Sequence, residues 1–457
     1  MKKTIAILSV LALLLCVSLT AAEAETLPIG EYLEEIFSDP ANIEEQNGTY
    51  LVRADISSYN IAPDSPLLEE LTFGFVYSHP GLFWLKSQSA YSSDEEKVYS
   101  LFLYCNMSEE KVAAAKPAFD KAADAILAGI TPTMTDEEKL LYIHDAICVI
   151  ADYDYSFTNR SAYDILVNHT AVCQGYSLAF NYLAGQIGFE TAYVSTDDSE
   201  IGQRQNHGWS AVKIGSNWYY VDVTHDDASH DFYLAFGYGQ GALALHDNFL
   251  VSEETIRSHP IADIAPRAFT PPSYVVAEDK SFEGRLTPVE GKKPDSAFVY
   301  LDGFWYVPIC ETNPGKVCLF KTENPFLGSY SLVTESPIGR FGTYYPMSVA
   351  AKWKNKILVT IPGGLISYEP ITGKTTRLAD LSQTDDSVFT GSVSEDGTFF
   401  RMVCRDVSKS TYELVQVTLP EPKTLFDAIR ICIALSGGSD AYSVNDILAI
   451  ISEIVAA

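Results

Sequence analysis

His207-Gly208-Trp209-Ser210-Ala211-Val212-Lys213-Ile214-Gly215-Ser216-Asn217-Trp218-Tyr219-Tyr220-Val221-Asp222-Val223-Thr224 decides how this chain is read. The stretch from Trp209 to Ile214 alternates and is β-rich, and so is the stretch from Asn217 onward, so both are predicted strands. Gly215-Ser216 is a two-residue connection with glycine at the position where a type II′ hairpin turn needs positive φ. That turn sets Ile214 opposite Asn217, and the pairing runs back from there. Asp222 then falls opposite Trp209 and His207 opposite Thr224. Residues opposite each other share a face, and so do residues two apart. His207 and Asp222 are therefore diagonal neighbours on one face, within ~8 Å between their backbone positions across the ladder. An Asp between Val221 and Val223 is unusual, which points to a partner for its carboxylate.

A histidine beside a buried carboxylate suits a nucleophile that needs its proton removed. Seven cysteines lie beyond Cys16, too few for a disulfide scaffold in a chain of 457 residues. Cys310 and Cys318 are close enough in sequence to bridge a hairpin. Cys173 stands apart from the rest. It opens a predicted helix in which Tyr176, Ala179, Phe180, Leu183, Ala184 and Ile187 share a face, with Gly188 as the C-terminal cap. At a helix start the unpaired N–H groups and the positive dipole end favour thiolate over thiol. The same N–H groups, that of Gln174 among them, can hold an oxyanion. Trp209 is a further cleft candidate. His225-Asp226-Asp227 and His230-Asp231 gather metal-capable groups, but their spacing fits no zinc motif; an acidic loop explains them, and the expected site has no metal.

Val172-Cys173-Gln174-Gly175-Tyr176-Ser177, His207-Gly208-Trp209 and Trp218-Tyr219-Tyr220-Val221-Asp222-Val223-Thr224 resemble the three core motifs of bacterial transglutaminase-like enzymes, in the family's order. The resemblance spans roughly residues 45–240. It implies an α+β, papain-related core with a cysteine helix packed on an antiparallel sheet, and acyl transfer from protein or peptide amides: hydrolysis, crosslinking or deamidation. By matching position, Cys173 is the nucleophile, His207 the general base and Asp222 the orienter, with no cofactor. The chain departs from the family pattern at Gly208 and Ser210, where Ala and Asn are usual, at His225, where the branch has Trp, and at Asp164, where glycine is expected. The alternative reading is an inactive module of the same fold that binds through aromatic residues such as Trp305, Tyr306, Tyr344 and Tyr345.

Around that core the chain divides readily. Lys2 and Lys3, the apolar run Ile5 to Leu19 and Ala22-Glu23-Ala24 read as a secretory signal over 1–24. No later run is long and charge-free enough for a transmembrane helix, so the expected location is secreted, extracellular or in the cell envelope. Residues 25–130 form an N-terminal α+β extension, with a helix from Ile29 to Phe37, strands at Thr49 to Val52 and Val98 to Tyr104, and a helix from Ser108 to Leu127. Residues 131–265 are the catalytic domain, opened by the capping box Thr135-Asp136-Glu137-Glu138. A Pro-rich linker covers 266–295. A β-rich domain covers 296–420, patterned like two or three propeller-like units, too few to close a propeller, or like a sandwich or an open sheet stack. Two helices over 421–457 resemble a dockerin pair without its calcium loops, and would dock on an envelope or scaffold partner. The net charge of −29 repels phosphate backbones and argues against nucleic-acid partners.

Overall fold

A computed structural model describes residues 27–196, 207–228, 241–258, 269–270, 272–289, 291–312, 315–337, 348–361, 363–380, 387–394, 396–406, 411–420, 446–448 and 450–451. The described chain separates into two compact units, one of residues up to Val76 with Trp84–Ala114, the other of Tyr77–Phe83 with Ala115 onward.

The first unit holds helix α1 (Ile29–Phe37) and a four-stranded antiparallel sheet of order β1-β2-β4-β3, with β1 Ile43–Gln46, β2 Thr49–Asp55, β3 Leu85–Ser93 and β4 Val98–Cys105. The β1–β2 turn is Asn47-Gly48, with φ of +52° and +80°, the type I′ geometry that twists with its strands. Val98, Leu101 and Leu103 are buried together with Val52 and Ala54. Helix α2 (Glu109–Leu127) follows, with the Ser108 hydroxyl accepting the Lys111 N–H at 3.4 Å.

In the second unit the Glu138 carboxylate accepts the Thr135 N–H at 2.8 Å at the start of α3 (Asp136–Ile150), the reciprocal half of a capping box. A short parallel pair, β5 (Asp152–Tyr153) and β6 (Thr170–Ala171), with α4 (Ala162–Leu166) between them, leads into α5 (Cys173–Gln186). Almost every residue of α5 is buried, so it is the central helix. Gly175 makes that possible: a Cβ there would lie 2.4 Å from the Ala171 Cβ and 3.1 Å from the Ser161 carbonyl oxygen. Gly188 ends the segment at φ +93°, where a Cβ is disfavoured.

Helix α5 packs on an antiparallel sheet of order β10-β9-β8-β7-β11, with β7 Thr191–Thr196, β8 Gly208–Ile214, β9 Asn217–Val221, β10 Phe249–Val251 and β11 Phe269–Thr270. The hairpin register is the one the turn imposes: Ile214 faces Asn217 and Ser210 faces Val221, with Gly215 at φ +61°. One expectation fails. The return strand stops at Val221 instead of reaching Thr224, because Val223–Asp226 coils into a short helix, α6, capped by the Asp222 carboxylate. The other face of the sheet is covered by a core of Val194, Trp209, Trp218, Tyr220, Ile256 and, from the Pro-rich stretch, Val275 and Ala277.

Residues beyond 296 form consecutive antiparallel meanders: β12–β15 (Val299–Leu301, Phe304–Thr312, Gly315–Thr322, Ser331–Pro337), β16–β19 (Ala350–Trp353, Lys356–Ile361, Gly364–Glu369, Lys374–Asp380) and β20–β22 (Ser387–Val393, Phe399–Asp406, Thr411–Thr418). In β17, Ile357, Val359 and Ile361 pack toward the first meander while Leu358 packs toward the third, so the sheets stack face on face in chain order. Trp305 and Tyr306, considered above as ligand contacts, are fully buried; the Trp305 indole N–H donates to Glu138 at 2.7 Å. Tyr344 and Tyr345 lie outside the described residues. Cys310 faces Val317 and Cys318 faces Ile309 across one hairpin, so the two sulfurs project from opposite faces, and both thiols are free. The dockerin-like stretch 421–457 lies outside the described residues except for helical positions 446–448, 450 and 451. Among the described residues no helix is long and apolar enough to cross a membrane.

Candidate active site

Cys173 is the first residue of α5, behind Val172 in extended conformation. Two clamps fix it. The loop before it is wound on Asp154, whose carboxylate accepts the N–H groups of Ser156, Thr158 and Asn159 at 2.8–2.9 Å. Burial raises the Asp154 pKa, but these hydrogen bonds win and hold it at about 2. The Asn159 carbonyl in turn accepts the Val172 N–H at 3.0 Å. On the other side, the Ser177 hydroxyl lies 2.9 Å from the Cys173 carbonyl and 3.1 Å from the Gly208 carbonyl, tying helix to strand. Ser210 reaches back to the Ser177 carbonyl at 3.2 Å. Asp164 likewise has structural work, accepting the Arg160 and Ser161 N–H groups at 3.0 and 2.9 Å at the start of α4.

The Cys173 sulfur is faced by the backbone N–H groups of Gly208 and Gln174. It is buried, and burial pushes the thiol up to about 11 against both donors. The expectation of a lowered thiol at the helix start is therefore corrected: desolvation of the sulfur outweighs the helix end.

His207 sits one residue before Gly208. Its backbone N–H donates to the Thr196 hydroxyl at 2.9 Å and its ring stacks on Trp209 at 5.8 Å between centroids. Trp209 is completely buried and so backs the imidazole instead of lining open space. The His207 Nε2 lies 2.9 Å from Asp222 Oδ2. A carboxylate only accepts, so Nε2 carries the proton and Nδ1 is left as the basic nitrogen. Asp222 is wholly buried, with its N–H on the Asn248 carbonyl at 3.0 Å. Burial alone would raise it, but His225 and His207 hold it well below the usual carboxylate range.

The sequence reading missed the role of His225. Its Nδ1 lies 2.7 Å from Asp222 Oδ2 and its N–H donates to Oδ1 at 3.2 Å, so two imidazoles share one carboxylate oxygen. The three-residue step from Asp222 was the available signal. The acidic cluster counted with His225 disperses: Asp227 accepts the Tyr176 hydroxyl at 2.7 Å, and Asp226 faces His144 Nε2 at 3.3 Å and accepts the Asn248 N–H groups. His230 and Asp231 lie outside the described residues. A second shared oxygen occurs here, with His144 Nδ1 and His246 Nε2 lying 2.8 and 2.9 Å from Asp145 Oδ1. In both sets the three polar atoms fall within 4.8 Å of one another, the closeness of paired hydrogen bonds to one oxygen.

A family model described as the transglutaminase-like superfamily matches residues 120–223, the segment running from α2 through Cys173 and His207 to Asp222. No curated protein matches the sequence. Among solved structures, the chain is similar to a candidate cysteine protease from Cytophaga hutchinsonii (16% identity, 30% of this chain and 61% of that one, TM-score 0.21). It is also similar to a TGase (12%, 42% and 56%, 0.22) and to the extracellular domain of a candidate one-component system from B. thetaiotaomicron (9%, 48% and 22%, 0.19). The chain thus spans less than two thirds of each of these. Over residues 120–223, this chain carries the core of the transglutaminase-like superfamily.

Proposed function

We propose that the protein is a cysteine enzyme that transfers acyl groups from protein or peptide amides, with Cys173 as nucleophile, His207 as general base and Asp222 as orienter. What supports this reading is the His207–Asp222 pair at 2.9 Å, beside the Ser177 hydroxyl that ties the Cys173 carbonyl to that of Gly208, the residue after His207. A thiol pushed up to about 11 favours a neutral thiol–imidazole pair at rest over a preformed ion pair. His207 Nδ1 takes the thiol proton as sulfur attacks the amide carbon. The carbon–nitrogen bond then breaks, the amine leaves with the proton from His207, and a thioester remains. Water or a second amine attacks the thioester, His207 accepts its proton, and the thiol is restored. Asp222, held ionised, keeps the Nε2 proton in place and supports the imidazolium formed in between.

The chain acts outside the cytoplasm, on the strength of the amino-terminal pattern of Lys2, Lys3, the apolar run and Ala22-Glu23-Ala24; residues 421–457 serve as a docking segment for an envelope or scaffold partner. Burial of Trp305 and Tyr306 takes those two residues from the aromatic surface on which the inactive-module reading leaned. The test is incubation with a protein mixture and a labelled primary amine, using the full chain and its Cys173→Ala variant. Cys173-dependent label incorporation, or Cys173-dependent new peptide termini, supports the proposal and says which acceptor resolves the thioester. Neither product, or the same products from the variant, contradicts it.

A further inference from the structure

Acyl transfer at Cys173 puts a negative charge on the substrate oxygen, and a side-chain donor beside the backbone N–H groups there would stabilise it further. Tyr193 on β7 stands over the same ground. A Cβ placed on Gly208 would lie 2.0 Å from the Tyr193 hydroxyl oxygen, so the hydroxyl fills the space a side chain at position 208 would take. That same Gly208 is tied to Cys173 by the Ser177 hydroxyl, which lies 3.1 Å from the Gly208 carbonyl and 2.9 Å from the Cys173 carbonyl, and its backbone N–H acts on the Cys173 thiol. Hydroxyl and sulfur are thus both against one residue. The phenol ring is held by stacking on Tyr77, with centroids 4.3 Å apart and 20° between planes. Among the described residues no group hydrogen-bonds the hydroxyl. Burial first, then the neighbouring thiol, raise the phenol well above its ordinary range, so it remains a donor at any working pH.

Resting on the function proposed above, we infer that the Tyr193 hydroxyl is a catalytic donor to the oxyanion formed on the substrate carbonyl, and that Gly208 is glycine to admit it. Attack by sulfur opens the carbonyl π bond and places the negative charge on oxygen; the hydroxyl donates its hydrogen bond there without giving up its proton, and loses the contact when the carbonyl re-forms. The hydroxyl is then worth something only while that charge exists.

The test uses the full chain, Tyr193→Phe and Cys173→Ala, with p-nitrophenyl acetate as acyl donor and iodoacetamide as alkylating agent. Phenylalanine keeps the ring and its stack on Tyr77. Alkylation proceeds by displacement at carbon and forms no oxyanion. The expected result is a Cys173-dependent acylation rate roughly 10–100-fold lower in Tyr193→Phe, with Cys173 alkylation within twofold of the parent. Acylation within twofold of the parent overturns the inference. So does an equal fall in acylation and alkylation, which would mean that the ring only packs or positions the thiol. If the parent shows no Cys173-dependent acylation, the proposed function itself fails; a Cys173-dependent reaction indifferent to Tyr193→Phe leaves that function standing and removes only this donor.

Discussion

At Asp222, one carboxylate does three jobs: it receives His207, receives His225, and caps α6 through the His225 N–H. Asparagine at this position keeps the shape but loses the charge that fixes the Nε2–H tautomer and supports an imidazolium. Asp222→Asn is therefore expected to lower the turnover of p-nitrophenyl acetate by about 10²–10⁴-fold while leaving the fold intact by circular dichroism. The pairing of His207 with Asp222 was legible in the sequence, because a two-residue turn and a period of two fix which side chains share a face. The second imidazole was not. His225 sits in a short helix that replaces the end of the strand where the Asp222 N–H goes to the Asn248 carbonyl, 26 positions further on, and no local pattern announces that bond. The thiol was misjudged for a similar reason: a helix start is visible in sequence, but the burial that pushes Cys173 up is a property of the whole packed core.

Within α5, two glycines make opposite demands. Gly175 packs so closely on Ala171 and the Ser161 carbonyl that a methyl has no room, whereas a Cβ on Gly185 meets nothing within 4 Å. Gly175→Ala should cost about 1–3 kcal/mol of unfolding free energy by overpacking. Gly185→Ala should gain about 0.5–1 kcal/mol from helix propensity alone. Urea denaturation of the two variants checks both signs; equal effects would mean that α5 is not packed as described. The helix itself was readable from its apolar face and from Gly188. The β-rich elements were readable as strands, but an open stack was only one of the arrangements the pattern allowed, since strand alternation does not say which faces are covered. In β17 both are, and Tyr306 packs in the first of those cores, while Trp305 is buried against Glu138 and Tyr142 of α3; both proved to be core residues rather than ligand contacts.

Across the second unit, α3 bonds to the first β-rich meander at two buried points: Glu138 accepts Trp305 Nε1 at 2.7 Å and Asp145 accepts the Phe298 N–H at 2.6 Å. Asp145 also belongs to the His144–His246 network. Burial opposes the charge on His144, but Asp145 and Asp226 raise it to about 9 from an ordinary 6.5. Burial opposes the charge on Asp145 too, yet His246 and His144 bring it below its ordinary 3.8. The signs follow from linkage. The raised histidine contributes stability that is full below pH about 6.5 and is lost as pH rises through about 9. The depressed carboxylate contributes stability that is full above pH about 4 and is lost in acid. Thermal unfolding of the full chain should give a Tm plateau between pH about 4 and 6.5, with an alkaline decline that His144→Asn abolishes. An alkaline decline unchanged in the variant would mean that the network is not charged as described.

The central claim is that His207 makes Cys173 reactive at a pH where the isolated thiol, pushed up to about 11, is protonated. Its most direct test is the rate of iodoacetamide alkylation of Cys173, followed by peptide mass mapping from pH 5 to 10 in the parent and in His207→Ala. The account predicts Cys173 labelling near neutrality, ahead of Cys105, Cys148, Cys310 and Cys318. In the variant that labelling should vanish near neutrality and return only as pH climbs toward the thiol's own titration. Superimposable pH profiles for the two proteins would contradict it.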